Sequence, residues 1–452
     1  MHYNYGMNLN ELRGQSIRLL GKSRALSHDE FLLQLKAHGI TLAESAEAEA
    51  ALIVEGRMMN PVEQQMRDAL YEKRAAPFCD IDPLERELCA SIDAAKLTMS
   101  LKLSGDRERL LGYLQNPYIG DSLFLKLIGM YDWGGEGFFE NDANRDVTAA
   151  LIVRFYDHIE RNHNVQYANT GLMHLLSQSS DPELINTIAG LEPLKKALKE
   201  GCDPSTRKIL EALASHPAAG REFLARMAEQ GDSALKARIA LRGDLSADLQ
   251  QKLFALKEPE VHAALARNPA LEHRIAAQME AEYGDTVAAH ITLDAPLFER
   301  YYEQRPAAVA LNPTLTLAMQ RRIYCLDDAI QALLASNPKA EEQMVMLLYE
   351  TNKPGVLAAL AANPATPAEI LGKMGWNRKI HASLALNPSS PAALLEALAA
   401  SEDLEVLTAL AKNRNTPAEL LYQLQLDKRL ERYVMENPGF GEHIQRENIG
   451  WL

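Results

Sequence analysis

In the last third of the chain an Asn followed by Pro or Arg returns at a nearly constant interval. Asn337-Pro338, Asn363-Pro364, Asn387-Pro388, Asn413-Arg414 and Asn437-Pro438 are 26, 24, 26 and 24 residues apart. No other feature restricts the fold as strongly, because a unit this short cannot bury its own apolar face and must stack on its neighbours. The expected architecture is mainly α, a solenoid of two-helix repeats of about 25 residues each. Such an array is a device for making surface, with each unit touching mainly the next.

Each unit reads as two short helices. Between Ala361 and Leu371 one helix ends near Asn363, a residue type that tolerates the left-handed conformation of helix C-termini. Pro364 then blocks its continuation. Thr366 is placed to cap the next helix, Pro367 to fill its first position and Glu369 to complete a capping box. Thr416-Pro417-Ala418-Glu419 repeats the signal, and Ser180-Asp181-Pro182-Glu183 gives it much earlier. Helices are therefore expected to start near Thr366, Ser390 and Thr416. Ile370, Leu371 and Met374 supply an apolar stripe at helical spacing, as do Ile380 with Leu384, and Val406, Leu407 and Leu410, for the second helix.

Towards the N-terminus the unit degenerates. Asn268-Pro269 and Asn312-Pro313 are 44 residues apart, and the intervening unit from Asp294 to Leu311 is several residues short. His216-Pro217 is followed by Phe223, Leu224 and Met227, and Asn116-Pro117 by Leu123, Phe124 and Leu127, at the same offsets. The array is thus expected to begin near residue 100. After Asn437-Pro438 those offsets hold Ile444, Gln445 and Asn448, the polar substitution that a terminal, capping repeat over 437–452 requires.

Hydrophobic residues make up 47% of the chain but aromatics only 6%, a balance suited to helix-on-helix packing of Ala and Leu. No apolar run reaches the roughly 18 residues of a membrane span. Met1 to Tyr5 lacks a basic region followed by an apolar core, so no secretory signal is expected. Cys79, Cys89, Cys202 and Cys325 are widely spaced without any C-x-x-C pair, as reduced thiols of a cytoplasmic protein would be, and no metal is expected. Net charge is −14; residues 1–100 hold 11 Lys and Arg against 15 Asp and Glu, a net of −4, leaving −10 for the remainder. Without a basic stripe, nucleic acid is not an expected partner.

The first 95 residues follow other rules. Ser16 to Leu20 is a short apolar run ending at Gly21, and Phe31, Leu32 and Leu35 with Gly39 form a helix and its C-cap. Ile40-Thr41-Leu42 and Ala51 to Val54 read as buried strands, and Pro61 through Lys73 as a second helix. Strands alternating with helices imply a small parallel α/β sheet. With Leu12-Arg13-Gly14-Gln15 before the first strand, Gly39 after the first helix and the Leu52-Ile53-Val54 strand, residues 9–92 resemble a BRCT domain. Ala75-Ala76-Pro77-Phe78 is similar to that family's short strand before its final helix. In members that bind phosphopeptides, a Ser or Thr and a Gly after the first strand meet the phosphate, helped by a basic residue on the second helix. The resemblance assigns the first part to Gly21, Lys22 and Ser23. Near the basic position this chain carries Glu63, Gln64 and Gln65, and its final helix has no Trp. Domain limits of 1–95 and 96–452 follow.

The helical part is similar to the leucine-rich repeat variant family on the pattern Asn-Pro-x-Thr-Pro-x-Glu-Leu/Ile-Leu, seen from Asn363 and from Asn413, with its clearest units over 200–452. The resemblance implies a right-handed superhelix of alternating longer and shorter helices. Nothing here matches the clustered N-terminal cysteines with which some members hold an iron–sulfur cluster.

No glycine-rich phosphate loop, H-E-x-x-H or nucleophile elbow is present. His158 and His163 sit five apart, a poor fit to one helical face for metal binding. Two segments combine an aromatic with glycine-given shape, the insertion around Trp133, Gly134 and Gly135 and the turn Gly375-Trp376-Asn377-Arg378-Lys379. Aromatic plus Arg is a frequent hot-spot pairing. The sequence therefore predicts a non-enzymatic protein-binding scaffold or adaptor, without cofactor, that takes a basic or mixed-charge protein segment at Trp133, Gly134, Gly135, Trp376, Arg378 and Lys379. The alternative is a nucleic-acid-associated or DNA-repair accessory protein acting through the BRCT-like part. An enzyme requires a pocket assembled from residues far apart in sequence.

Overall fold

A computed structural model describes residues 8–43, 48–156 and 169–446 of the 452-residue chain. The chain forms two compact units, Met1–Ile239 and Ala240–Leu452. The boundary expected at residue 95 falls inside the first.

The first unit opens with β1 (Ser16–Leu20), α1 (His28–Ala37), β2 (Thr41–Leu42), β3 (Leu52–Glu55), α2 (Pro61–Lys73), β4 (Phe78–Asp80) and α3 (Ile81–Ala90). The strands form one parallel sheet ordered β2-β1-β3-β4, with Ile17 beside Leu52 and Ile53 beside Phe78. Ile17, Leu20, Ile53 and Val54 are buried, as parallel strands covered on their faces require. Phe31 and Leu35 of α1 meet Ile81, Leu84 and Leu88 of α3 in the core. β4 starts at Phe78 rather than Ala75. Pro77 has no N–H to donate, so pairing begins with its carbonyl, which accepts from the Ile53 amide at 2.9 Å.

Past Asp80 every element of the described residues is helical, and no helix among them is long and apolar enough to cross a membrane. The stretch 93–106 is not a linker. Asp93 caps the helix Ala94–Ser104 by accepting from the Ala95 and Lys96 amides, and Gly105, at φ +62°, ends it. The next helix, Arg107–Leu114, sends Arg109 and Tyr113 to the buried carboxylate of Glu30 on α1. Burial and the Glu30 charge together push the Tyr113 hydroxyl far above its ordinary range.

In the second unit the recurring Asn is a structural bridge. Asn363 sits at φ −79° and ψ 116°, extended rather than left-handed, and the same holds for Asn387 and Asn413. The extended backbone aims the side chain inward. Its Nδ2 donates to the Ala335 and Asn337 carbonyls of the preceding unit at 2.8 and 2.9 Å, while its Oδ1 accepts from the Ala365 amide at 2.9 Å. Asn337, Asn387, Asn413 and Asn437 repeat these three bonds one unit along. All these Asn side chains are buried, so the ladder lies where water does not compete.

The helix starts also differ from expectation. Helices run Ala368–Lys373, Ala392–Leu398 and Ala418–Gln425, each two residues later than the hydroxyl read as its cap. The hydroxyls of Thr366, Ser390 and Thr416 instead donate backwards to the carbonyls of Leu360, Leu384 and Leu410 at 2.6–2.7 Å. They are buried, and the last turn of the preceding helix offers the nearest acceptor; the following prolines, 367, 391 and 417, occupy the N-cap positions. Glu369 pairs with Lys373 one turn on rather than closing a capping box.

Irregular units keep the ladder. Where 268 and 312 are 44 apart, the Ile291 carbonyl takes the place of a rung and accepts from Asn312 at 2.8 Å. The shortening falls in the connection, since Arg305 alone joins the helices Ala295–Gln304 and Pro306–Ala310. In the first unit His216 does the same work with a ring: Nε2 meets the Ser179 carbonyl at 3.0 Å and Nδ1 accepts from the Ala218 amide at 3.1 Å. In the helix Pro438–Arg446 Phe440 is buried; Ile444 and Gln445 lie on the same helix, and Asn448 lies outside the described residues.

Replacing Asn387 by Ala orphans two buried carbonyls and one amide, and is expected to destabilise by about 3 kcal/mol or more, at 1–3 kcal/mol per unsatisfied group. Asn387→Asp, which keeps the acceptor but sets a carboxylate against two carbonyls, is expected to cost at least as much at neutral pH. Urea unfolding of both variants checks this.

Candidate functional site

The segment after β1 approaches the end of β3 closely. Lys22 and Arg57 exchange backbone hydrogen bonds of 2.7 and 2.8 Å, and at Gly21, φ +85°, a Cβ would stand 2.6 Å from the Arg57 carbonyl. Only Gly fits there. The position assigned to a phosphate is filled by this chain's own carboxylates. Glu63 of α2 accepts from the Gly21 amide at 3.2 Å. Glu85 of α3, fully buried, accepts from the amides of Arg24, Ala25 and Leu26 at 2.9–3.2 Å. Lys22 is exposed and Ser23 half-buried, while the amides of Gly21, Arg24, Ala25 and Leu26 around them are taken by Glu63 and Glu85. Gly21, Lys22 and Ser23 thus form a tied structural loop rather than an open anion site.

The Trp133 insertion is likewise internal. Trp133 is 1% exposed and makes edge contacts with Tyr131 and Phe138, at 4.9 and 5.2 Å between ring centres. Buried Asn144 holds the loop by donating to the Trp133 and Gly137 carbonyls and accepting from the Tyr131 hydroxyl. Thr148 donates to the Phe138 carbonyl. Trp133 is therefore a core residue, while Gly134 with Asp132 and Glu136 forms the loop's exposed rim and Gly135, like Gly134 at positive φ, is half-buried.

Trp376 stands in contrast at 64% exposure. Its turn is rigid although its ring is not covered: Asn377 donates its amide to the Met374 carbonyl and caps Lys379, and His381 meets the Gly375 carbonyl at 2.8 Å. Met374 beneath is buried. Arg378 and Lys379 are exposed in the 3-10 turn Arg378–Ile380, in no ion pair among the described residues. The turn leads into the helix His381–Leu386, one wall of a groove of about 530 Å³ whose other wall is Leu404–Lys412. Exposed Leu386 and Leu404 line it with Ala382, Thr408 and Lys412. An exposed aromatic, two cations in no ion pair among the described residues and a shallow groove thus lie on this part of the repeats.

Chemistry-bearing groups elsewhere are built into the structure. All four cysteines are free, and burial pushes the Cys79 thiol up to about 12 and the Cys89 thiol up to about 11, so neither is a ready nucleophile. Among the described residues no group of three His, Cys, Asp or Glu is placed to hold a metal. His158 and His163 lie outside the described residues.

Residues 356–414 match the family model of the leucine rich repeat variant domain. The matched stretch carries the rungs Asn363, Asn387 and Asn413 and the whole Trp376 turn. Neither the search of curated proteins nor that of solved structures returns a match.

Two outcomes follow. Trp133→Ala is expected to cost about 3–5 kcal/mol in chemical unfolding, and Trp376→Ala less than about 0.5 kcal/mol. Burial pushes the Glu85 carboxyl up, against the lowering effect of its three amide donors. A raised folded-state value means that its contribution is present below the ordinary glutamate range and is lost as pH rises through the raised value. Measured against Glu85→Gln, the wild type should therefore gain stability as pH falls from about 7 towards about 4.5. Parallel pH profiles of the melting temperature would refute this.

Proposed function

We propose that this chain is a non-enzymatic, cytoplasmic protein-binding scaffold whose binding surface is carried by its helical repeats, arranged as a right-handed α-solenoid over 96–452. Trp376 carries the proposal: a large aromatic ring stands out to solvent on a turn whose backbone is held at Gly375, Asn377, Lys379 and Ile380. Trp is among the residue types most enriched in the small set that dominates binding at protein interfaces. The Asn ladder and the match to the leucine rich repeat variant domain support the array itself. Next to Arg378 and Lys379, the corresponding turn of the following unit carries exposed Glu402 and Asp403. A mixed-charge protein segment suits this pairing of signs along one edge.

The BRCT likeness of residues 1–95 draws support from the element order β-α-β-β-α-β-α and the all-parallel sheet. With Glu63 and Glu85 on the loop amides, we assign this part to protein docking rather than to phosphate or nucleic acid. The test is affinity capture with the full chain, comparing wild type with Trp376→Ala and with the pair Arg378→Glu, Lys379→Glu. Capture of the partner should fall by about tenfold or more, equivalent to about 1.4 kcal/mol, with the melting temperature unchanged. Undiminished capture by both variants would refute the assignment of this edge.

A further inference from the structure

We infer that the outer face of the helix Ala94–Ser104, together with the adjoining end of α1, is a second docking surface, shaped for an amphipathic partner helix with an apolar stripe and acidic flanks. The inference is independent of the Trp376 edge and rests on other residues.

The helix Ala94–Ser104 has two apolar rows where an ordinary surface helix has one. Leu97 and Leu101 point inward and are buried. Ala95, Met99 and Leu103, at spacings of four, share another row, and on it Met99 is 59% and Leu103 81% exposed. A single exposed leucine is ordinary. Here Leu33 of α1, 52% exposed, stands across a groove from Lys96, Leu97 and Ser100, beside the row. That groove, of about 510 Å³, is lined by Leu33, Ala37 and Leu97, and a shallower depression along Ala95, Met99 and Leu103 shares Lys96 and Ser100 with it. The two depressions therefore adjoin along Lys96 and Ser100. A row at spacing four is the ridge that packs between the ridges of a second helix, and Met adapts to partners of differing shape.

Charge selects the occupant. The helix carries Lys96 and Lys102 and no acid, and the near end of α1 adds Lys36. Asp93 is engaged as the N-cap, with Lys96 Nζ 3.6 Å from its carboxylate. Lys36 and Lys102 have no carboxylate within pairing distance among the described residues. In a chain of net charge −14, a cation-flanked apolar row is complementary to acid-flanked helices, the groove mode of peptide recognition. A second copy is the poorer occupant, because a two-fold contact would set these lysines against their own equivalents.

The test uses the full chain and two synthetic stapled helices sharing one leucine row at spacing four, one flanked by Glu and the other by Lys. In fluorescence anisotropy the Glu-flanked peptide should bind at least about tenfold more tightly and weaken with added salt. Met99→Ser with Leu103→Ser should remove that binding while the melting temperature stays put, since both side chains lie outside the core. Lys96→Glu with Lys102→Glu should reverse the preference between peptides. Equal affinities, no binding of either peptide, or binding indifferent to the Met99 and Leu103 changes would overturn the inference. A concentration-dependent dimer in sedimentation, abolished by Leu103→Ser, would give the face to a second copy and overturn it equally.

Discussion

One buried carboxamide per unit holds the second half of this molecule in register. Each ladder Asn joins two carbonyls of the unit before it and one amide of its own turn, at 2.7–3.0 Å. The residue type follows from the geometry. Two donors and an acceptor must lie in one plane, one bond out from Cβ, so Asp lacks the donors and Gln overshoots. Histidine offers one of each, and at position 216 they meet the Ser179 carbonyl and the Ala218 amide. Because the groups are buried, each missing bond would forfeit a full desolvation cost rather than a net hydrogen bond.

A turn fixed this firmly leaves the opposite turn of each unit free to vary, and there the composition does change. Thr351-Asn352-Lys353, Gly375 to Lys379, Ser401-Glu402-Asp403 and Asp427-Lys428-Arg429 occupy the same place in successive units with different length and charge. The tightest needs a left-handed residue, Asn352 at φ +52°. Recognition residues gather on variable loops held by a rigid frame, and Trp376 lies on the one turn of this series that is both longest and aromatic.

How much of this was legible depends on whether a residue's partner lies near in sequence. The period, the two-helix unit, the strands at Ser16–Leu20 and Leu52–Glu55 and the helix Pro61–Lys73 are local patterns, and the sequence states them. The roles of Thr366, Glu63 and Glu85 are set by groups brought close only by folding. Local rules therefore assigned Thr366 to the wrong helix and left the Gly21 amide open. Trp133 was misjudged for a related reason: an aromatic, glycine-rich run looks like a loop until Asn144 and Thr148 are seen holding it inward. One clue to the ladder was present. Asn413 is followed by Arg rather than Pro, so the constant member of the motif is the Asn, and its side chain rather than the break after it had to matter.

Beside the ladder, units close the end of the preceding helix in more than one way. Where the third residue after the rung is Thr or Ser, its hydroxyl meets the preceding helix end. After Asn312, where that residue is Leu315, buried Gln320 five places on does comparable work, and Gln250 does so five places after Leu245. Gln250 and Gln320 donate to the Leu245 and Leu315 carbonyls and tie in the next turn through Ala270 with Glu272, and Lys339 with Glu341. Both solutions close backbone groups that the helices cannot close themselves. They also share a direction, since each Asn reaches back to carbonyls already in place and leaves its own carbonyl for the unit that follows. At Asn437 that carbonyl is taken by the Gly441 amide as the helix Pro438–Arg446 begins at once. Loss of a following unit therefore frees two carbonyls, and loss of a preceding one frees both donors of a carboxamide, so every rung couples its unit to both neighbours.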